Sequence, residues 1–485
     1  LCVSKSSNSD SNNGASKAAP WAHLLLLLMM FVPWQTVLGA CHVVTPNGSG
    51  SQTGADWNNA LANLPGTLTR GDVYYLADGN YGSYTFNTAA SGTATIEIRK
   101  AQTYDHCTDT GWNASTMGSS QAVFSGATFN NLFTTDAPYF ILNGNGTSTG
   151  AGCGNAPGTT VTSNPPAPSD CGFKFDNSAD TAGTTLYNEV SAPAHVTYEY
   201  LEISEPGDNT NEQYDVFGPG TGPSTYIHVY GHNAGCVYFQ DGGDTRTISH
   251  SYFWGTETNG AGGGCHGQFS FEDGATSNSS EYNNVYRDIT GTAIWTFANT
   301  STTHNNWSYY DNVIWDTFPA ASWSPFLSDG VIACINAGTN CTNFVFVQND
   351  IINLPLTSAS GINNENTGSY TVENNIWYNC GLEPGFNIGT GGTYTHQYNS
   401  YLQTVGGPSG AAAVLVTSFI PNPFVSWTTG NFNLASDNSD WDNRLALGPP
   451  YTTDVNGVIF STDRGAYQLG QSSVQPPTNL QAAPH

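Results

Sequence analysis

Basic residues are scarce in this chain: ten Lys and Arg stand against 37 Asp and Glu, and only 10% of all residues are charged. Setting aside Lys5, Lys17 and Asp10 with the first forty residues leaves eight basic and 36 acidic residues, a formal charge of −28. Such a surface repels phosphate backbones and anionic headgroups, which argues against nucleic acid or a membrane surface as partner. No apolar run after residue 40 is long enough to span a bilayer. The chain has no CxxC and no His/Cys spacing of the zinc-binding kind. Sustained helical periodicity is also missing, apart from one short candidate at 57–62.

What is present points to an exported, strand-rich protein. Lys5, Lys17 and His23 precede an apolar run at 24–32 that suits the h-region of a secretory signal, predicted over residues 1–40. Gly39 and Ala40 allow cleavage before Cys41, which is then free for a disulfide; Val37-Leu38-Gly39-Ala40-Cys41 also resembles a lipobox, in which Cys41 carries a lipid anchor. Ten cysteines suit an oxidising compartment, so the protein is expected to be secreted or on the outer cell surface. Cys153 with Cys171 and Cys334 with Cys341 are near enough in sequence to staple loops, although spacing alone fixes no connectivity.

Two short patterns alternate along the chain. One is a polar residue before an apolar pair: Ser251-Tyr252-Phe253, Asn284-Val285-Tyr286, Asn312-Val313-Ile314, Asp350-Ile351-Ile352 and Asn375-Ile376-Trp377. The other is a glycine-led strand, as at Gly235-Cys236-Val237, Gly267-Gln268-Phe269, Gly291-Thr292-Ala293, Gly330-Val331-Ile332, Gly361-Ile362 and Gly385-Phe386. A period near thirty residues means stacked coils, each too small to bury its own apolar face. The predicted fold is all-β: a right-handed parallel β-helix over 41–470, a short N-terminal capping helix, and a linker or tail at 471–485.

Gly71-Asp72, the strand after it, Gly79-Asn80-Tyr81 and the ending Asp463-Arg464-Gly465-Ala466-Tyr467 resemble the pectate-lyase-like superfamily of right-handed β-helices, the ending being similar to its last strand. The resemblance covers roughly 41–468 and is specific for fold, since that architecture hosts lyases, hydrolases, epimerases and non-catalytic proteins.

Aligning the glycine-led strands puts Asp241 beside Asp273 and Gln240 beside Glu272, with Asp244 close by. Stacked carboxylates repel unless a cation or a shared proton intervenes, so Asp241, Asp244, Glu272 and Asp273 form a candidate Ca²⁺ site. The resemblance implies lyase chemistry with Arg246 or Arg287 as base; Asp241 with Asp273 is the acid–base pair a hydrolase would use, and His250 can shuttle protons. Trp254, Trp295 and His266 are candidate sugar contacts, although inward-pointing rings belong to the core. The expected function is binding, and cleavage, of an extracellular polysaccharide; the competing expectation is a non-catalytic adhesin or structural rod.

Overall fold

The computed structural model describes residues 39–125, 137–154, 170–178, 195–204, 215–217, 222–234, 237–241, 245–256, 267–289, 291–317, 330–354, 361–380, 386–388, 391–404, 412–416, 422–460 and 462–469. The expected signal segment, except its last two residues, and the tail after 470 lie outside these.

Apolar and polar side chains alternate along strand after strand, as in Ile96–Lys100 and Val196–Glu199, so one face of each strand turns inward. Each strand pairs in parallel with its equivalents one coil before and one coil after. Thus Pro223–Ile227 lies between Val196–Glu199 and Thr245–Ser249. Among the described residues this builds three parallel sheets of 13, 12 and 7 strands around one core, a right-handed parallel β-helix. The polar–apolar pattern forms the second sheet and the glycine-led pattern the third. The first sheet, from Cys41–Thr45 to Thr393–Gln397, escaped the repeat reading.

The bend from the first sheet to the second is a single left-handed residue in successive coils: Tyr200, His228, His250, Asn283, Asp311, Gln348, Asn374 and Tyr398 all hold φ between 51° and 58°. That conformation costs a non-glycine residue about 1 kcal/mol. A buried column of amides directly after the bend offsets it. Asn312 Oδ1 accepts from the Asn284 N–H at 3.0 Å, Asn349 Oδ1 from the Asn312 N–H at 3.0 Å, and Asn375 Oδ1 from the Asn349 N–H at 2.9 Å. The column corrects one alignment: its member in the fourth coil is Asn349, not Asp350. Asp350 pairs with Val313 and Ile376 on the outer face instead.

Two other expectations are corrected. Only a 3-10 turn at Trp57–Asn59 stands where the capping helix was expected, and Leu61–Ala62 pairs with Cys41–Thr45 as an edge strand. Pairing satisfies the backbone there, while Trp57 is pinned by its indole N–H on the His106 carbonyl at 3.1 Å. The ending 463–467 forms no strand. Arg464, 1% exposed, reaches the Asn399 carbonyl at 3.0 Å and the Ala412 carbonyl at 2.9 Å, sealing the end of the amide column.

After the last coil, Phe424–Ser426 and Asn431–Leu434 pair antiparallel, and this C-terminal wrap covers the outer face of the second sheet. Phe424, Phe432, Leu434, Trp441 and Tyr467 pack there on Val313, Trp315, Ile352, Tyr378 and Leu402. The wrap also buries carboxyls. Neither oxygen of Asp350 has a hydrogen-bond partner of normal geometry, and Gly465 lies so close that a Cβ on it would fall 2.1 Å from Asp350 Oδ1. Burial pushes the Asp350 carboxyl well above its ordinary 3.8, only partly offset by the Ala466 amide; burial and then Asp454 do the same at Asp311, against Arg444. A carboxyl whose folded pKa is raised stabilises fully below its unfolded value, and that contribution is lost as pH rises toward the folded one. The wrap should therefore be held more tightly at pH 4 than at pH 8. Asp350→Asn should flatten this dependence, as read by proteolysis of the C-terminal segment across pH; an unchanged pH profile in the variant would refute the assignment.

Candidate functional site

The third sheet does not align as the glycines suggest. Asp241 pairs with Glu272, not Asp273, and Gln240 pairs with Phe271. A one-residue slip exchanges the two faces of a strand. Glu272 consequently points into the coil, 0% exposed, where its Oε1 lies 2.7 Å from Arg246 Nη1. Arg246 is itself in the core, with Glu281 Oε1 at 2.8 Å from Nη2 and the rings of Phe239 and Trp307 at 4.7 and 4.9 Å. Glu281 Oε2 accepts from the Tyr286 hydroxyl and from the indole N–H of Trp295. Arg246, Glu272 and Trp295 are thus parts of a buried polar plug, not of a surface groove, because an inward-facing charge must find its partner inside.

Asp273 stays on the outside, where burial pushes its carboxyl up and a hydrogen bond from Gln240 partly offsets this. Asp244 and His266 lie outside the described residues. Of the expected calcium ligands whose side chains are described, Glu272 is committed to Arg246 inside the coil and Asp273 lies on the other face of the strand, so these two do not converge on one ion. Among the described residues one acidic group does gather, Asp437, Asp442 and Asp463, with carboxylate oxygens within 4.8 Å of one another. Asp442 is raised to about 6 there by burial and then by Asp463 and Asp437.

His250 sits at the first bend, against the His228 ring at 5.1 Å and the Asn283 amide at 3.1 Å. Burial, then His228, lowers it to about 4, so it is neutral at physiological pH. Cys41 is bonded to Cys107, which uses the sulfur a lipid anchor would need. Cys153–Cys171 and Cys334–Cys341 pair as spacing suggested.

Arg287 and Trp254 do come together, on the outer face of the second sheet. There one row of outward positions runs Asp176, Ser204, His232, Trp254, Arg287, Trp315 on successive strands, and the row beside it runs Lys174, Glu202, Tyr230, Tyr252. Strand spacing puts Lys174 and Arg287 about 19 Å apart along the axis. The sequence signal for the earlier part is Phe173-Lys174-Phe175-Asp176 and Leu201-Glu202-Ile203, charged residues alternating with core residues.

Glu202 is the hub of this cluster. Its Oε1 lies 3.1 Å from His232 Nε2 and 3.4 Å from Lys174 Nζ, and its Oε2 accepts from the Gln121 amide at 2.8 Å. Burial raises the Glu202 carboxyl, but the His232 and Gln121 hydrogen bonds and the Lys174 charge outweigh it, so the group lies below the usual carboxylate range. The Asn233 amide faces His232 Nδ1 at 3.1 Å, which assigns the imidazole proton to Nε2. Lys174 also touches Asp176 at 3.5 Å. Further along, Arg287 is sandwiched by Trp254 and Trp315 at 5.7 and 4.9 Å, and Asp288 Oδ2 accepts from Arg287 Nε and from the Trp254 indole. A cavity of about 320 Å³, lined by Gln102, Ser119, Gln121, Asp170 and Gly172, adjoins the Glu202 end.

No protein-family profile matches the sequence, and no curated protein does. Solved structures are similar at low identity. Pectate lyase Pel9A is 13% identical with a TM-score of 0.45, over 88% of this chain and 96% of that one. A mannuronic acid specific polysaccharide family 6 lyase from human gut microbiota is 13% identical with a TM-score of 0.37, over 78% and 82%. The GH136 lacto-N-biosidase from Eubacterium ramulus is 9% identical with a TM-score of 0.36, over 78% and 68%. Similarity at this level carries no argument about chemistry.

Proposed function

We propose that the protein is an extracellular carbohydrate-active β-helix that holds a polysaccharide along the outer face of its second sheet, between Lys174 and Arg287. The observation that carries this reading is the Glu202–His232 pair at 3.1 Å, set beside a half-buried tryptophan on that face. A carboxylate that orients an imidazole is the arrangement by which proteins move protons near neutral pH. His232 Nδ1 carries the lone pair that takes the proton, from water or from the sugar, as the Asn233 amide that donates to it in this structure turns away. Lys174 and Arg287 are each paired with carboxylates, and their part is to anchor the chain. Trp254 offers a ring edge to the sugar face. Disulfides in the folded coil suit an oxidising compartment. The reading uses no calcium.

The test is a polysaccharide panel read for unsaturated products by ultraviolet absorbance and for new reducing ends, with and without Ca²⁺. His232→Ala should lower turnover by roughly 10²–10⁴-fold, the usual worth of a positioned acid–base group. Lys174→Ala should weaken binding with turnover of bound chain largely kept. Full activity in His232→Ala, or no binding across the panel, would reject the proposal. Binding without turnover by the native protein would favour the non-catalytic rod, a reading supported by the carboxylate pairing of every cation on this face.

A further inference from the structure

We infer that the groove is blind at Arg287, and that the protein takes the end of a polysaccharide chain and not a stretch within it. This rests on the groove proposed above. The outer row that carries His232 and Arg287, 7% and 6% exposed, with the half-buried Trp254 between them, continues onto Trp315, and there the C-terminal wrap lies directly on the sheet. The Trp315 ring meets Phe432 of the C-terminal wrap edge-on at 5.0 Å, and each is 1% exposed. Behind this wall the wrap stays in place for the rest of the sheet. Tyr378 packs on Phe424 and Trp427 at 6.0 and 6.3 Å, and Ile352 and Leu402 are buried with them. A chain lying along the strands' stacking direction therefore meets protein one coil beyond Arg287.

One long side is closed as well. The segment Ala151–Gly154 crosses Tyr230 and Tyr252, tied down by Gly152 N–H on the His250 carbonyl at 2.8 Å and Cys153 N–H on the His228 carbonyl at 3.1 Å. Gly152 is held at φ 57°, and a Cβ there would fall 2.4 Å from the Tyr252 side chain, so this wall is seated against the sheet. At the opposite end exposure returns: Lys174 and Asp176 side chains are 23% and 28% accessible, and the cavity beside Gln121 lies at that end. Among the described residues the groove has a wall across its axis at one end and accessible side chains at the other, which admits a terminus and excludes an internal segment, because a through-running polymer would have to pass through the Trp315–Phe432 contact.

The full chain is tested on the polysaccharide that the panel identifies. If it is cleaved, product sizes and viscosity are followed from the first turnovers. End-directed action gives one short product from the start, with viscosity falling only in step with mass released. An early ladder of sizes with a steep viscosity drop overturns the blind groove while leaving the proposed function standing. If it is bound without cleavage, capacity is measured on the same mass of polymer cut to shorter lengths. Capacity rising in proportion to the number of chain ends supports the inference, and capacity constant per mass overturns it. Absence of both binding and cleavage overturns the inference together with the function it rests on. Phe432→Ala, which lowers the wall, should shift products toward a ladder; native-protein product sizes decide the matter should that variant fail to fold.

Discussion

Replacing Arg246 with alanine should cost about 3–5 kcal/mol, the usual penalty for breaking a buried ion pair from one side. The guanidinium is 1% exposed, and it is the cation that Glu272 and Glu281 share inside the coil. Without it two carboxyls remain in the core, and they must take up protons or draw in water. The loss should therefore shrink as pH falls and the stranded carboxyls are neutralised. Arg246→Lys should recover little, because a lysine cannot hold two carboxylates in the planar fork geometry that Nε, Nη1 and Nη2 supply here. Replacing all three charged residues by apolar ones of similar size should be far milder than the single change. Urea unfolding with an unchanged slope is the measurement. A shift below about 1 kcal/mol for Arg246→Ala would show that the plug contributes little.

Asn349→Ala should be nearly as damaging, by about 2–4 kcal/mol, because several buried groups lose a partner at once. The Asn349 amide accepts from the backbone and side chain of Asn312 and donates to the Tyr309 and Val347 carbonyls and to Asn375 Oδ1. Water cannot replace these contacts, since Asn349 is 0% exposed. The exposed amide pair on the first sheet supplies the control: Asn306 Nδ2 donates to Asn278 Oδ1 at 2.9 Å in contact with solvent. Asn306→Ala should cost about 1 kcal/mol, because solvent replaces its hydrogen bonds and what remains is mainly alanine's poorer fit to φ 58°. Equal costs at the two positions would mean that burial of the column is not what gives it its worth.

The second and third sheets were legible in the sequence because their markers are local. A glycine opens the third-sheet strands, and an asparagine precedes the second-sheet ones, so a repeat is visible without knowing what touches what. The first sheet lacks such a marker. Its outward row runs Thr197, Thr225, Thr247, Ser280, Ser308, and left-handed residues at Asn278, Asn306 and Asn343, each with φ near 57°, interrupt the period of two. Its inward positions also include Arg246 and Glu281, which alternation alone assigns to solvent.

The same effect misplaced the site. Glu272 and Arg246 are close together as their spacing implied, but on the inner side, because a slip of one residue decides between core and surface. Arg287 and Trp254 were legible since they follow the asparagine-type marker. Lys174, Glu202 and His232 occupy equivalent places in earlier coils, where no marker precedes them, and only pairing reveals that they share a face.

The arginine that seals the amide column bears on the order of assembly. Coils can stack as the chain emerges, each on the one before it. Val414 N–H meets the Asn399 carbonyl at 2.9 Å first, yet the guanidinium that clamps Asn399, the Ser400 hydroxyl and the Ala412 carbonyl together comes from a residue more than sixty positions after Asn399. A polypeptide released before that point carries an open edge capable of recruiting another strand. Completion of the rod, and its safety from self-association, thus waits on the final residues of the folded region.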